Sequence, residues 1–385
     1  MNFKFIIVSA VLGFCMASCS NDELDSLTTS SQNAIGFNVL TNAASRATII
    51  DQDNLNGTDF NVYAYTNSGA AFMGTNDLDL GYGGINIINE NNSWQYANPA
   101  DLRYWPAEEL NFYAVNPTNT MPDNIRQFYG WNFSSSKQII TYTCVDEYGS
   151  TQSTPTPNID VMYAIAKGQT KDKNGGKVKF NFKHILSQVA FQAKVEYASM
   201  EVNISQILIN NAKFAGTFTI PTDGKDATNE NWEAKIAQDG NNKDALTFSA
   251  YKSTGTNVVV DKNHMGDNAV NISLNKPMLV IPQKLTAWSV KDDDKSIEQT
   301  NGKKRAYLCI KCSIKQNGVY VFGSETSHSV LYLPFSADWQ PGKRYIYTII
   351  FGGGYDADGN KVLNPIEFEA EQNNWLTADN VDIQY

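Results

Sequence analysis

The stretch at residues 177–183 reads Lys177-Val178-Lys179-Phe180-Asn181-Phe182-Lys183 and alternates polar and apolar side chains without a break. Successive side chains of a β-strand point to opposite faces, so Val178, Phe180 and Phe182 would face a core while the lysines face water. This pattern is typical of a half-buried antiparallel strand. It therefore predicts strand structure at this point of the chain.

Similar short patterns recur along most of the sequence, separated by turn signals such as Asn317-Gly318 and Asp358-Gly359. The other predicted strands are Asp59–Tyr65, Leu110–Val115, Gln188–Tyr197, Val202–Ile209, Thr217–Ile220, Thr256–Val260, Val270–Leu274, Met278–Ile281, Ala306–Ile314, Val319–Phe322, Val330–Leu333, Tyr345–Phe351 and Ile366–Ala370. Helical periodicity is scarce. The sequence therefore predicts an all-β fold built from two β-sandwiches in tandem.

The length of 385 residues favours two domains. The polar, glycine-rich segment Gly168–Gly176 predicts the boundary between them. It gives an N-terminal β-sandwich at residues 47–175 and a C-terminal one at residues 176–385. The same segment could equally be a long hairpin loop within one domain, so both interpretations stay open.

The N-terminus carries an export signal, with Lys4 as the positive start, Phe5–Phe14 as the apolar run and small residues before position 19. This predicts a signal peptide at residues 1–18. Met16-Ala17-Ser18-Cys19 resembles the lipobox of bacterial lipoproteins, in which the cysteine thiol carries a diacylglycerol. The acidic run Ser20–Glu23 is similar to the tag that sends Bacteroidales lipoproteins to the cell exterior. The resemblance implies an outer-membrane lipoprotein precursor anchored through acyl chains such as palmitate on Cys19; the alternative is an ordinary signal peptide with an incidental cysteine.

Residues 19–46 are mostly Ser, Thr, Asn and Ala, with one patterned island at Ile35–Val39. Ile35, Phe37 and Val39 would share one face of a strand. Arg46 follows in a setting of small, polar residues, where an Arg-specific protease could reach it.

The formal net charge of −10 argues against a nucleic-acid partner, because such binding depends on neutralising phosphates. After the leader, no apolar run approaches the roughly 20 residues needed to cross a bilayer. Cys144, Cys309 and Cys312 are too few for a disulfide framework in a chain of this size. The hydrophobic core is expected to hold the fold by itself.

A search for chemical motifs predicts no catalytic, cofactor or metal site. Neither a His-Glu-x-x-His nor a Gly-x-Ser-x-Gly motif occurs. Cys309 and Cys312 would point to opposite faces of a strand, which favours buried packing over metal binding. Asp356–Asn360 partly matches a calcium loop, but Lys361 stands where that loop needs glycine, so a hairpin turn is the better interpretation.

A series of aromatic-rich motifs follows in order along the chain: Arg103-Tyr104-Trp105-Pro106, Leu110–Ala114, Asp160–Ala164, Phe180–Ser187, Trp339–Tyr347 and Trp375. Together they resemble the signature of the Bacteroidales fimbrillin family, the subunits of type V pili. Their order spans nearly the whole chain. From the residues themselves, we interpret Tyr104, Trp105 and Pro106 as packing at a strand entry, His184 as a hydrogen-bonded corner residue, and Gly342 as a turn requirement.

The resemblance implies transthyretin-like, Greek-key sandwiches and an assembly mechanism. In that family an Arg-specific protease removes a leader that carries the first strand, and the terminal strand of a neighbouring subunit fills the groove that this opens. Here the cut would fall between Arg46 and Ala47, and the strand Ile35–Val39 would be removed. Ile366–Tyr385 would be the donor end, or would instead close the second sandwich's own sheet. The apolar donor side chains would be those of Val381, Ile383 and Tyr385.

Two functions follow. The first is a structural subunit of a cell-surface fimbria that supports adhesion and has copies of itself or related fimbrial subunits as partners. The second is a surface lipoprotein with glycan-binding β-sandwich modules, in which Trp94, Tyr96, Tyr104 or Trp105 would be stacking platforms. Neither is an enzyme.

Overall fold

The computed structural model describes residues 33–39, 59–74, 83–118, 129–144, 159–221, 225–235, 237–239, 242–245, 247–290, 295–352, 354–363 and 367–374. Within these residues the chain is overwhelmingly β-structure, which confirms the all-β prediction. The first eleven strands are β1 Gly36–Val39, β2 Phe60–Thr66, β3 Ala71–Met73, β4 Ile85–Glu90, β5 Ser93–Tyr96, β6 Leu110–Asn116, β7 Tyr129–Phe133, β8 Gln138–Thr143, β9 Met162–Gln169, β10 Lys177–Phe180 and β11 Lys183–His184.

The later strands belong mainly to two larger sheets. They are β12 Ser187–Val195, β13 Met200–Asn210, β14 Ala215–Thr219, β15 Trp232–Lys235, β16 Ala237–Asp239, β17 Asn242–Ala245, β18 Thr247–Lys252, β19 Val258–Val260, β20 Val270–Asn271, β21 Met278–Val280, β22 Lys284–Leu285, β23 Tyr307–Gln316, β24 Val319–Phe322, β25 Ser329–Pro334, β26 Ala337–Asp338, β27 Lys343–Phe351, β28 Gly354–Tyr355, β29 Lys361–Leu363 and β30 Glu367–Asn374. The helical segments bounded within the described residues include α1 Ile297–Lys303 and the 3-10 turns Pro99–Asp101, Lys173–Gly176 and Asn229–Asn231.

The first part of the chain forms a seven-stranded sheet in the order β11-β9-β6-β2-β4-β5, with β3 also paired to β2. One face of this sheet is covered by the two-stranded sheet β1-β10, and the other by the four-stranded sheet β15-β14-β8-β7. All seven residues of β2 are buried as a result. The half-buried alternation expected at Asp59–Tyr65 is therefore wrong: Tyr63 and Tyr65 face the four-stranded sheet, where Tyr65 Oη donates to the Phe133 carbonyl at 2.6 Å.

The later part of the chain stacks a five-stranded sheet, β20-β12-β27-β30 with β21 also paired to β12, against an eight-stranded sheet, β18-β13-β23-β25-β28-β29 with β19 and β24 at its sides. Their inner faces form one large apolar cluster that continues into the four-stranded sheet. That sheet joins β7 and β8 to β14 and β15, so it combines strands from both sides of the predicted boundary. β10 and β11, which follow the boundary in sequence, lie with the N-terminal sheet. The division at residues 175 and 176 stays a prediction.

Strand direction differs from the antiparallel expectation at two places. β10 pairs with β1 in parallel, and β12 pairs with β27 in parallel along eight residues. Alternation of side chains reports which face of a strand is buried, but it is the same for either direction of the neighbouring strand. The predicted hairpins at Asn317-Gly318, between β23 and β24, and at Asp356–Asn360, between β28 and β29, are both present. In the described part of the chain, no helix is long and apolar enough to cross a membrane.

Candidate functional site

The patterned island near the N-terminus lies in the core of the N-terminal sheet. Ile35, Phe37 and Val39 are 1%, 4% and 6% exposed, whereas Asn38 faces solvent. The three apolar side chains share one face, as their alternation predicts. They join an apolar cluster formed by the inner faces of β2, β4, β6, β9 and β10. Each such side chain contributes roughly 1.5–3 kcal/mol when fully buried, so this short strand adds substantially to the packing of the cluster.

The backbone of residues 33–39 is held from both sides. β1 runs parallel to β10, with Phe37 paired to Val178 and Val39 to Phe180. On the other side, Ile35 N donates to the Arg103 carbonyl at 2.9 Å, and Trp105 N donates to the Asn33 carbonyl at 2.9 Å. The segment thus occupies a slot between β10 and residues 103–105.

The aromatic side chain of Phe37 fills the centre of this slot. Its ring stacks on Phe180 at 6.0 Å and meets Tyr96 edge-on at 5.6 Å. The rings of Phe60 and Phe112 lie 6.5 Å away. If residues 33–39 left, these four rings would line an open apolar groove.

One side-chain hydrogen bond also holds the segment 33–39 in place. Tyr96 Oη donates a hydrogen bond to the Ile35 carbonyl at 3.0 Å. Burial raises the pKa of the Tyr96 phenol, so at neutral pH it stays protonated and can donate. This contact could not be predicted from the sequence, because the alternation of β5 does not show which strand its side chains meet.

The exposed edge of the groove is cationic. Lys177 and Lys179 of β10 are solvent-exposed and stand opposite Gly36 and Asn38 of β1. A Cβ at Gly36 would lie 3.0 Å from Lys177 Cγ, so the lysine side chain covers the glycine. We call Lys177 and Lys179 the lysine rim.

The predicted strand-entry residues take part in the same slot. Trp105 packs on Phe112 at 5.8 Å, and its indole Nε1 donates to the Gly176 carbonyl at 3.0 Å. Tyr104 forms an isolated antiparallel bridge with Ala34 and is 49% exposed. The first signature motif therefore lines the slot that holds β1.

Three of the four proposed glycan platforms are engaged in packing. Trp94 lies 4.8 Å from Phe60, Tyr96 donates a hydrogen bond to the Ile35 carbonyl, and Trp105 packs on Phe112. Tyr104 alone among them is half exposed. Glycan binding needs exposed aromatic faces, so the structure gives this alternative little support.

Three further signature motifs, Asp160–Ala164, Phe180–Ser187 and Trp339–Tyr347, meet at a second place. His184 Nδ1 and Asp160 Oδ2 are 2.7 Å apart, and both side chains are 1% exposed. Gly342 N donates to the Leu186 carbonyl at 2.8 Å, and Gly342 has φ +66°, a turn conformation that favours glycine. His184 is thus the hydrogen-bonded corner residue expected from the sequence.

Among the described cysteines, Cys144 and Cys312 are buried and Cys309 is half-buried. Burial raises the pKa of the Cys144, Cys309 and Cys312 thiols to about 12. Cys309 and Cys312 lie on β23 with free thiols, and Cys309 Sγ accepts a 3.2 Å hydrogen bond from Asn210 Nδ2. Among the residues that the structure describes, no group of three or more His, Cys, Asp or Glu side chains is placed to bind a metal.

The predicted processing and donor residues lie outside the described residues. These are Cys19, Arg46, Ala47, Val381, Ile383 and Tyr385. Of the predicted donor end, only residues 367–374 are described; they form β30, which pairs antiparallel with β27 from Ile350 to Lys343. This part of the donor end therefore closes an edge of the chain's own C-terminal sheet, as the alternative interpretation expected.

Comparison with known proteins gives consistent matches. A family model described as fimbrillin-like matches residues 45–375. Fimbrium subunit Fim1C of Phocaeicola vulgatus is 25% identical over 197 residues, which are 49% of this chain and 50% of that protein. The chain thus aligns with about half the length of this curated relative. A crystal structure of a fimbrial protein from Bacteroides vulgatus has a TM-score of 0.55 and 16% identity, covering 89% of this chain and 99% of that one, which shows a shared fold.

Proposed function

The chain belongs to the fimbrillin-like family, and on that premise we propose that it is a structural subunit of a cell-surface fimbria that polymerises by strand exchange and supports adhesion. Its partners would be copies of itself or related fimbrial subunits. The proposed role is structural, without catalysis or a cofactor.

One observation carries the proposal: residues 33–39 fill an apolar slot of the N-terminal sheet although they lie upstream of Arg46. A protease cut between Arg46 and Ala47 would separate this strand from the rest of the chain. Its departure would leave β10 without a paired strand in the described structure, next to four aromatic rings. An unpaired strand beside an apolar groove is a template for a strand of another chain.

We assign the incoming strand to Val381, Ile383 and Tyr385 of a neighbouring copy, whose alternation matches that of Ile35, Phe37 and Val39. Before the cut, a lipid on Cys19 would anchor the precursor to the outer membrane, facing the cell exterior. An Arg-specific protease would then release the subunit from its lipid and open the slot in one step.

The experiment compares the whole precursor with its Arg46→Ala variant after treatment with an Arg-specific protease. The unmodified chain is expected to give polymer ladders on gels of unheated samples, and the variant is expected to stay monomeric. Arg305→Ala, which removes an arginine of the C-terminal part, is the control and should polymerise normally. Normal ladders from Arg46→Ala would contradict processing at this site.

A further inference from the structure

The lysine rim offers a means of selecting the strand that enters the slot. Lys177 and Lys179 project from one face of β10 into solvent, while Val178 and Phe180 project into the core. Neither ammonium group has an ion pair with any residue that the structure describes. The leader residues opposite them, Gly36 and Asn38, are uncharged. The leader therefore fills the slot without neutralising its rim.

The proposed donor strand differs from the leader at this point. Residues 375–385 contain Asp379 and Asp382 and no basic residue. If Val381, Ile383 and Tyr385 occupy the positions of Ile35, Phe37 and Val39, then Asp382 takes the position of Gly36, directly opposite Lys177.

The register leaves few alternatives. A shift by two residues, with Val381 at the position of Phe37, places Asp382 opposite Lys179 instead. A shift by one residue would turn the carboxylate into the apolar groove, which is costly for a charged group. In both of these registers the aspartate meets a lysine, whereas a shift by two residues in the other direction would carry Asp382 past the end of the β1–β10 pairing.

We propose that the lysine rim recognises the carboxylate of Asp382 on a second copy of this chain, and so selects the incoming donor strand and its register over the neutral leader. This inference rests on the proposed strand exchange and names the residues that give it specificity. Directly opposite charges on neighbouring strands attract, and like charges repel. The attraction is that of an exposed pair, so its effect is modest and weakens as salt is added.

The test uses the whole precursor, cut after Arg46 in the presence of a fluorescein-labelled peptide of residues 375–385. Fluorescence anisotropy gives the Kd of the unmodified peptide and of its Asp382→Lys variant on the same chain. We expect the unmodified peptide to bind roughly two- to tenfold more tightly at low salt, with a smaller ratio at 0.5 M NaCl, since there the Debye length is only about 4–5 Å. Taking the ratio on one chain cancels competition from the chain's own terminus.

Rim variants complete the design. If Asp382 lies opposite Lys177, the preference is expected to reverse towards the Asp382→Lys peptide on the Lys177→Glu chain. If Asp382 lies opposite Lys179, the reversal is expected on the Lys179→Glu chain instead. Lys171→Glu, an exposed residue outside the rim, makes the same charge change and should leave the preference unaltered. All three positions are exposed, so the substitutions are compatible with the fold.

Two outcomes would overturn the inference, and they differ in what they imply. Equal affinity of the two peptides on every chain would remove the rim's role while leaving strand exchange intact. Failure of the unmodified peptide to bind, while a peptide of leader residues 33–39 does bind, would overturn the donor assignment itself and the rim's role with it.

Discussion

Phe37→Ala tests the packing of the leader strand most sharply. Phe37 is 4% exposed and is surrounded by the rings of Phe60, Tyr96, Phe112 and Phe180. Truncating a buried phenylalanine costs about 3–5 kcal/mol. Because β1 is only four residues long and is paired with a single strand, β10, in the described structure, we expect most of that cost to appear as release of residues 33–39 rather than as unfolding of the whole protein.

The measurement is amide hydrogen exchange in the whole precursor, followed by mass spectrometry of fragments that cover residues 33–39 and 177–180. A loss of about 3 kcal/mol raises the opening equilibrium about 150-fold, and exchange in these two segments should accelerate accordingly. Asn38→Ala is the matched control, since it lies on the same strand with its side chain in solvent, and it should change exchange by less than about threefold. If both variants behave alike, the leader strand is not part of the core and the reasoning fails.

Three further predictions address other features. Tyr96→Phe keeps the ring but removes the hydrogen bond to the leader carbonyl, so the leader segment should lose about 1 kcal/mol of protection in the same exchange experiment; unchanged exchange would refute a positioning role. Burial raises the pKa of the Cys144 and Cys312 thiols to about 12. Both should therefore react with iodoacetamide at pH 8 only after denaturation, and their labelling in the native protein should increase at higher pH as the thiolate fraction grows. Complete labelling of these two cysteines in the native protein within minutes at pH 8 would contradict their burial. Deleting residues 379–385 should abolish polymer ladders after protease treatment, and normal ladders would exclude them as the donor strand.

Sequence reasoning was most successful where the identity of a side chain determines its face. Val178, Phe180 and Phe182 are fully buried, and the adjoining lysines of β10 are exposed, because a strand with one wet face must alternate. The same logic placed Ile35, Phe37 and Val39 on one buried face. A separation of three positions predicts that Cys309 and Cys312 point to opposite faces of β23; Cys312 is buried as expected, whereas Cys309 is only half-buried.

Sequence reasoning failed where the answer depends on a distant partner. The parallel pairing of β10 with β1 joins segments about 140 positions apart, and alternation carries no information on direction. β2 was expected to be half-buried, yet Tyr63 and Tyr65 are buried because the four-stranded sheet covers them. Tyrosine is found on both solvent-exposed and buried faces, so the alternating pattern of β2 could not show whether its second face is exposed or buried.

The candidate site shows the same division. The sequence indicated a strand upstream of Arg46, but not the slot that holds it, which is assembled from β10 and residues 103–105. The hydrogen bond from Tyr96 and the position of the lysine rim opposite the leader depend on this tertiary arrangement. The alternation of β10 predicts that Lys177 and Lys179 face water. It does not predict that they stand beside the slot that an incoming strand would enter.

The central claim is that the leader strand leaves its slot when the subunit joins a filament. The most direct measurement is the N-terminus of the protein in filaments sheared from intact cells, read by mass spectrometry. The chain in filaments is expected to start at Ala47, and no peptide containing Ile35–Val39 is expected to copurify with it. Protein found only in membranes, with lipidated Cys19 at its start, would contradict the account.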